Sequence, residues 1–337
     1  MSTPVPGSPE WLDLIREPII DPERPIVDPH HHLWRRGGND YLLEDLWRDT
    51  QSGHNIEKTV FIECHACYRE EGPEHLRPVG ETEFVRELAE ASAREPGKAR
   101  IAAIVSRADL CMGDAVEEVI HAHEEAARAL FRGIRHSGAR DPHPEALTIA
   151  GRAPEGLYRR DDFRRGLKRL GELGFTYDTW HYHHQNRDFA ELARAVPETV
   201  MVLDHFGTPL GVGPYATRRE EIFEQWREDI REIAACPNVV AKLGGLAMPD
   251  NGFGWDRAPA PPTSDEFVAA QERYYLHTID AFGPERCMFE SNFPVDKRSL
   301  SYAVLYNGFK KMAARFNEPE RDALFRTTAT RVYRLAD

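Results

Sequence analysis

Eight short runs of β-branched and apolar residues recur along the chain, each followed by a longer amphipathic stretch. This alternation restricts the fold more than any other feature. The runs are Pro25–Trp34, Lys58–His65, Arg100–Asp109, Leu130–Ser137, Phe175–Tyr182, Thr199–Gly207, Asn238–Leu246 and Cys287–Pro294. Each has strand length, and most open with near-continuous apolar residues, as strands covered on both faces require. Helical patterns lie between them at Glu81–Arg94, Asp114–Ala129, Asp161–Leu173, Asp188–Val196, Thr217–Ala235 and Ser264–Phe282, with Ser299–Arg315 and Glu318–Leu335 after the last run. Glu44–His54 is a shorter, less regular one. Strand and helix in alternation predict an α/β protein, a (β/α)8 TIM barrel forming one domain over residues 25–337, with 1–24 as an N-terminal extension wrapping its outside. Four long segments follow strands, at 66–80, 138–160, 208–216 and 247–263. They are expected to roof a small-molecule pocket on the C-terminal face of the barrel, where sites of this architecture sit.

Charge narrows the partners. Lys and Arg number 43 against 56 Asp and Glu, a net −13. Nucleic acid and anionic membranes both favour a basic surface, so neither is expected as a partner. An acidic exterior is compatible with a homo-oligomer. No apolar run approaches the roughly 18 residues of a membrane span. The first twenty residues, MSTPVPGSPEWLDLIREPII, show neither the basic nor the apolar region of a secretory signal, so a cytoplasmic location is expected. The five cysteines (64, 67, 111, 236 and 287) then read as reduced thiols, and Cys64-x-x-Cys67 has no second pair to complete a zinc site.

The 15 histidines carry the chemistry. The first run contains Asp28-Pro-His30-His31-His32-Leu-Trp34. Residues i and i+2 of a strand share a face, so His30 and His32 are expected to reach the barrel mouth together, at a spacing that suits two ligands of one metal ion. The second run ends in Glu63-Cys-His65, the fourth in Arg135-His136, the fifth in Trp180-His181-Tyr182-His183-His184, and the sixth in Asp204-His205. Histidines gathered at strand C-termini point to a metal or catalytic cluster; hydrogen-bonded core histidines are the plainer reading. Glu290 and Asp296, at and after the eighth run, are the local carboxylates that could take a proton from an activated water, or else solvated rim charges. Arg135 suits a substrate carboxylate or a structural ion pair. Lys242 would face inward as a carbonyl polariser, or send its stem outward. Glu63 would orient a histidine or pair with a nearby arginine.

Taken in order, VDPHHHLW, GIRH, DTWHYHHQ, LDHFGTP, AKLGGL, MFESNFPVD and ATRVYRL span residues 27–335. Together they resemble the amidohydrolase superfamily, in its amidohydrolase 2 branch of TIM-barrel metal-dependent hydrolases, which includes lactonases. The resemblance implies His30, His32 and His183 as metal ligands, His205 as a catalytic histidine and Arg135 as a grip on an acidic substrate. No lysine ends the fourth strand, so a lysine-bridged metal pair is not implied: one divalent ion, zinc or manganese, or none. The family's eighth strand usually reads Gly-Ser-Asp-Trp-Pro; here it is Glu-Ser-Asn-Phe-Pro, placing Asn292 where an aspartate ligand is expected. Asn cannot act as a general base, which leaves His205, Asp296 or Glu290. The expected activity is hydrolysis of a lactone of a sugar acid or carboxylated small molecule, with His205, Asp296, Arg135 and His183 in catalysis, and Trp34, Glu63, His65, Trp180, Lys242 and Arg135 around the substrate. A metal-dependent decarboxylase of an aromatic or unsaturated acid, and an impaired barrel that only binds a ligand, are the alternatives.

Overall fold

The computed structural model describes residues 4–336. Eight parallel strands form one sheet in sequential order: β1 (Pro25–His31), β2 (Asn55–Ile62), β3 (Arg100–Ser106), β4 (Phe131–Arg135), β5 (Thr176–Thr179), β6 (Met201–Leu203), β7 (Val239–Leu243) and β8 (Cys287–Phe289). The sheet curls towards closure just beyond β8, where the His32 amide donates to the Phe293 carbonyl (2.8 Å) and the Asn292 amide to the His30 carbonyl (3.0 Å). After the short α1 (Pro9–Leu12), each strand is followed by one helix: α2 (Leu43–Thr50), α3 (Val79–Ser92), α4 (Val116–Ala127), α5 (Asp161–Glu172), α6 (Asn186–Ala195), α7 (Arg219–Ala234), α8 (Ser264–Phe282) and α9 (Tyr302–Ala313). The expected (β/α)8 barrel is the fold observed. Among the described residues, no helix is long and apolar enough to cross a membrane.

Strand alternation explains where the charges go. Ile26, Phe61, Leu203, Leu243 and Phe289 face the helices, in the main apolar layer. Val27, Val60, Ile62, Val202, Val240 and Met288 face inward and form a second apolar cluster. Two residues beyond Val202, Val240 and Met288 on the same inner face stand Asp204, Lys242 and Glu290. The barrel interior is therefore apolar at one level and charged at the next. After a further short helix, α10 (Glu318–Asp322), the last segment of chain, α11 (Thr328–Val332) with Tyr333 and Leu335, packs into the inner apolar cluster.

The N-terminal extension differs from expectation. It runs along the outside of the barrel, as read from the sequence: Glu17 accepts from the Ser264 amide (2.7 Å), and the Ile20 amide donates to Asn307 (2.9 Å). Its first described residues, however, climb to the C-terminal face, where the buried Trp11 indole donates to the Ala258 carbonyl (3.1 Å). Residues 5–9 there line the cleft.

Candidate active site

A cleft of about 790 Å³ opens at the C-terminal face. His32, Glu63 and Arg135 lie in its floor, Trp34, Tyr41 and Trp180 in its walls, and His65, Arg36 and Arg298 nearer the mouth. Of the four segments expected to roof it, only 138–160 contributes, through Thr148 and Ile149. Residues 208–216 and 247–263 instead brace one another, through Gly211 N to Asp250 O (2.9 Å) and Asn251 Nδ2 to Pro209 O (2.8 Å). The Asp250 carboxylate then holds the Thr148 and Ile149 amides at 2.7 and 2.8 Å. The chain between β1 and α2, the segment after β8 and the N-terminal arm complete the wall. A long connection signals that something must be spanned, not where it points.

Below the cleft the imidazoles converge. His32 Nδ1 sits 2.8 Å from the Ile62 carbonyl oxygen, which only an N–H can satisfy, so its Nε2 carries the lone pair. That Nε2 lies 3.2 Å from His30 Nε2. On its other side, His30 presents Nδ1 to Glu290 Oε2 at 2.7 Å, while His205 Nδ1 is 2.7 Å from Glu290 Oε1. Glu290 thus sits between two histidines from distant strands, hydrogen-bonded to His205 through Oε1, with its Oε2 close to His30 but without a well-aligned donor. All three rings are buried. Burial drives His30 and His32 well below the ordinary imidazole range and His205 down to about 3, so they are neutral lone-pair donors at neutral pH. Burial also pushes the Glu290 carboxyl up to about 8 and the Asp204 carboxyl up to about 6. Part of the strand-end geometry is strained to achieve this: His205 (φ 52°) and Asn292 (φ 55°) both adopt left-handed backbone.

Sequence reading overlooked Asp204. It is fully buried, and neither of its carboxylate oxygens has a well-aligned hydrogen-bond donor. Its donor atoms and those of His30 and His205 lie within 4.8 Å of one another. The available signal was its place beside His205 at the end of a short strand, two residues beyond an inward Val202.

The donor set suits one divalent ion. Nitrogen ligands at about 2.0–2.1 Å around tetrahedral zinc stand about 3.4 Å apart, close to the 3.2 Å between the two facing Nε2 atoms. The buried Asp204 carboxylate, whose oxygens lack a well-aligned hydrogen bond, stands beside His30 and adds an anionic donor to the two nitrogens. His32 is also anchored through its other nitrogen, on the Ile62 carbonyl, the arrangement that fixes metal-binding histidines.

Other expected site residues fall elsewhere. His183 lies in a short turn after β5, accepts from the Leu210 amide at Nδ1 (3.3 Å) and packs on Tyr215, apart from the His30–Asp204–His205 group. The Asn292 amide donates to Asp296 Oδ1 (2.9 Å), and Asp296 also accepts from the Ala247 amide (3.2 Å). Asp296 is buried, and both of its oxygens are taken up by these two donors, which fits a structural strut better than a base. His136 accepts from the Leu110 amide. Arg135 is committed to Glu63, through Nε to Oε1 (2.9 Å) and Nη2 to the backbone carbonyl, leaving Nη1 3.5 Å from His30 Nε2 and 3.6 Å from Asp204 Oδ2. It points at the cluster and is not free to clamp a distant carboxylate. Lys242 is buried and absent from the cleft wall, lying beneath the histidines.

Comparison with known proteins agrees with this architecture. The amidohydrolase family profile matches residues 27–335, and the chain belongs to that family of hydrolases. An uncharacterised Sinorhizobium fredii protein, y4mH, is 33% identical over 92% of this chain and 98% of its own. An L-fucono-1,5-lactonase of Burkholderia multivorans is 28% identical over 92% of this chain and 96% of its own. A crystal structure of a Burkholderia multivorans amidohydrolase with bound zinc superposes with a TM-score of 0.71 at 26% identity, covering 93% of this chain and all of that one.

Proposed function

We propose that this protein opens a lactone of a sugar acid or a carboxylated small molecule by attack of water on the ring carbonyl. The observation that carries the reading is Glu290 between His30 and His205, 2.7 Å from each, beneath a cleft whose floor exposes His32 and Arg135. The similarity to L-fucono-1,5-lactonases supports the substrate class. His30, His32 and Asp204 would hold one zinc or manganese ion. When bound, such an ion lowers the pKa of a coordinated water and polarises a carbonyl.

The residues of the chain supply the rest. His205 accepts the proton of the attacking water at Nε2, and Glu290 at Nδ1 steadies the imidazolium so formed. The ring C–O bond then breaks, and His205 returns the proton to the departing ring oxygen. Arg135, fixed by Glu63, directs Nη1 towards the oxygen on which charge develops. Trp180 lines the cleft with an indole N–H that has no partner among the described residues, a donor for a substrate hydroxyl or ring oxygen. Among the described residues, Arg36 and Arg298 line the mouth without a carboxylate partner and suit an acidic substituent.

The test is a pH-indicator assay over sugar lactones and carboxylated lactones. Turnover of at least one, abolished in His205→Asn, is expected. A panel without turnover, or full activity in that variant, overturns the reading. Carbon dioxide release from an aromatic acid without uptake of water would replace it with decarboxylation.

A further inference from the structure

Lys242 is a buried positive charge at the centre that the scheme above leaves unused. Its ammonium lies 2.7 Å from Asp178 Oδ2, 3.2 Å from Asp204 Oδ1 and 3.3 Å from His30 Nδ1, and its side chain is fully buried. On the far side, the Tyr333 hydroxyl donates to the same Asp178 oxygen at 2.6 Å. Phenol, carboxylate, ammonium and two members of the histidine–carboxylate group therefore form a continuous polar column inside the barrel. A buried charge persists only when paired and hydrogen-bonded. Burial works against the ammonium, but Asp178, Asp204 and Glu290 outweigh it and hold its pKa above the usual lysine value.

The consequence is electrostatic. A divalent ion at His30, His32 and Asp204 meets a fixed positive charge within contact distance of two of its ligands, where low dielectric leaves repulsion poorly screened. We infer that Lys242 sets the metal affinity of this centre, keeping Asp204 and His30 in place without the ion and weakening the hold on the ion once bound. The site is then built for exchangeable metal rather than permanent metal. Asp178 and Tyr333 are positioning residues: they draw the ammonium away from Asp204 and limit how strongly it competes. The inference rests on the metal reading given above.

Zinc affinity of the full-length protein, measured by competition with a chromophoric chelator at pH 7.5, tests it without any assay of turnover. Lys242→Met and Lys242→Gln are expected to bind zinc at least tenfold tighter than the unmodified protein. Asp178→Asn, which leaves the ammonium to Asp204 alone, is expected to bind several-fold more weakly. Opposite signs separate this from general damage, which would weaken binding in every variant. Glutamine keeps a hydrogen bond to Asp178 should methionine prevent folding; if neither Lys242 variant folds, unchanged affinity in Asp178→Asn, or weakened affinity accompanied by a lowered unfolding midpoint, overturns the proposal, and weakened affinity at an unchanged unfolding midpoint supports it. Folded Lys242 variants with unchanged or weaker affinity overturn it while leaving the metal reading intact. Absence of zinc binding in the unmodified protein and every variant overturns both, whereas zinc bound only after Lys242 is neutralised supports the inference.

Discussion

At the floor of the cleft every charge comes from a strand or strand end and is held by a partner: Glu63 by Arg135, Asp178 and Asp204 by Lys242, and Glu290 by His205. At the mouth the lining comes from an N-terminal arm and inter-element segments, and Arg36, Arg298 and His65 stand exposed. The two regions also differ in relation to the family. Its profile begins at residue 27, so the floor lies inside it and the arm outside. Rigid paired charge at the end of a closed sheet suits a fixed reaction; loosely supported residues above it are free to change with the substrate. On the proposed function, the division of labour is chemistry below and selection above.

The sharpest way to break that division is His205→Asn at the floor. A loss of about 10²–10⁴ in kcat is expected for a missing acid–base group, with KM little changed; a change confined to KM would move His205 to the selective layer. Glu290→Gln comes next. It should lower zinc affinity by about 10–100-fold, as lost support for ligating histidines does, read by chelator competition. Removing residues 2–7, which spares the Trp11 anchor, should raise KM about tenfold, or ~1.4 kcal/mol, at unchanged kcat. Equal kinetics would show that the arm selects nothing. Tyr333→Phe should lower stability by about 1 kcal/mol, the net worth of a buried hydrogen bond, in urea unfolding followed by circular dichroism. His183→Ala should leave both kcat and zinc content within about twofold, since its ring packs against Tyr215 away from the cluster. A large loss there would restore the ligand assignment that the resemblance implied.

The floor was legible to the extent that period-two reasoning holds. The i, i+2 spacing keeps His30 and His32 together, but a register shift between Asp28 and His31 is what turns the pair inward after an inward Val27, and a barrel of sequential parallel strands brings β1 beside β8. The same reasoning misleads at His183, because β5 ends at Thr179 and the chain has left the sheet before reaching it. Asn292 shows a similar limit. Its left-handed backbone, tolerated by Asn, turns the amide onto Asp296, which no spacing rule anticipates. Asp178 and Asp204 resemble ordinary rim carboxylates until partners from β7 and the C-terminal segment are set against them. The mouth was least legible, since its walls depend on which connections fold inward.

His30 is made early in synthesis and Tyr333 late, yet the two are linked through Asp178 and Lys242. A nascent chain halted before Tyr333 would carry every imidazole of the cluster but lack the phenol that braces Asp178 from below. Full assembly of the polar interior must therefore wait until residue 333 has been added to the strands that precede it.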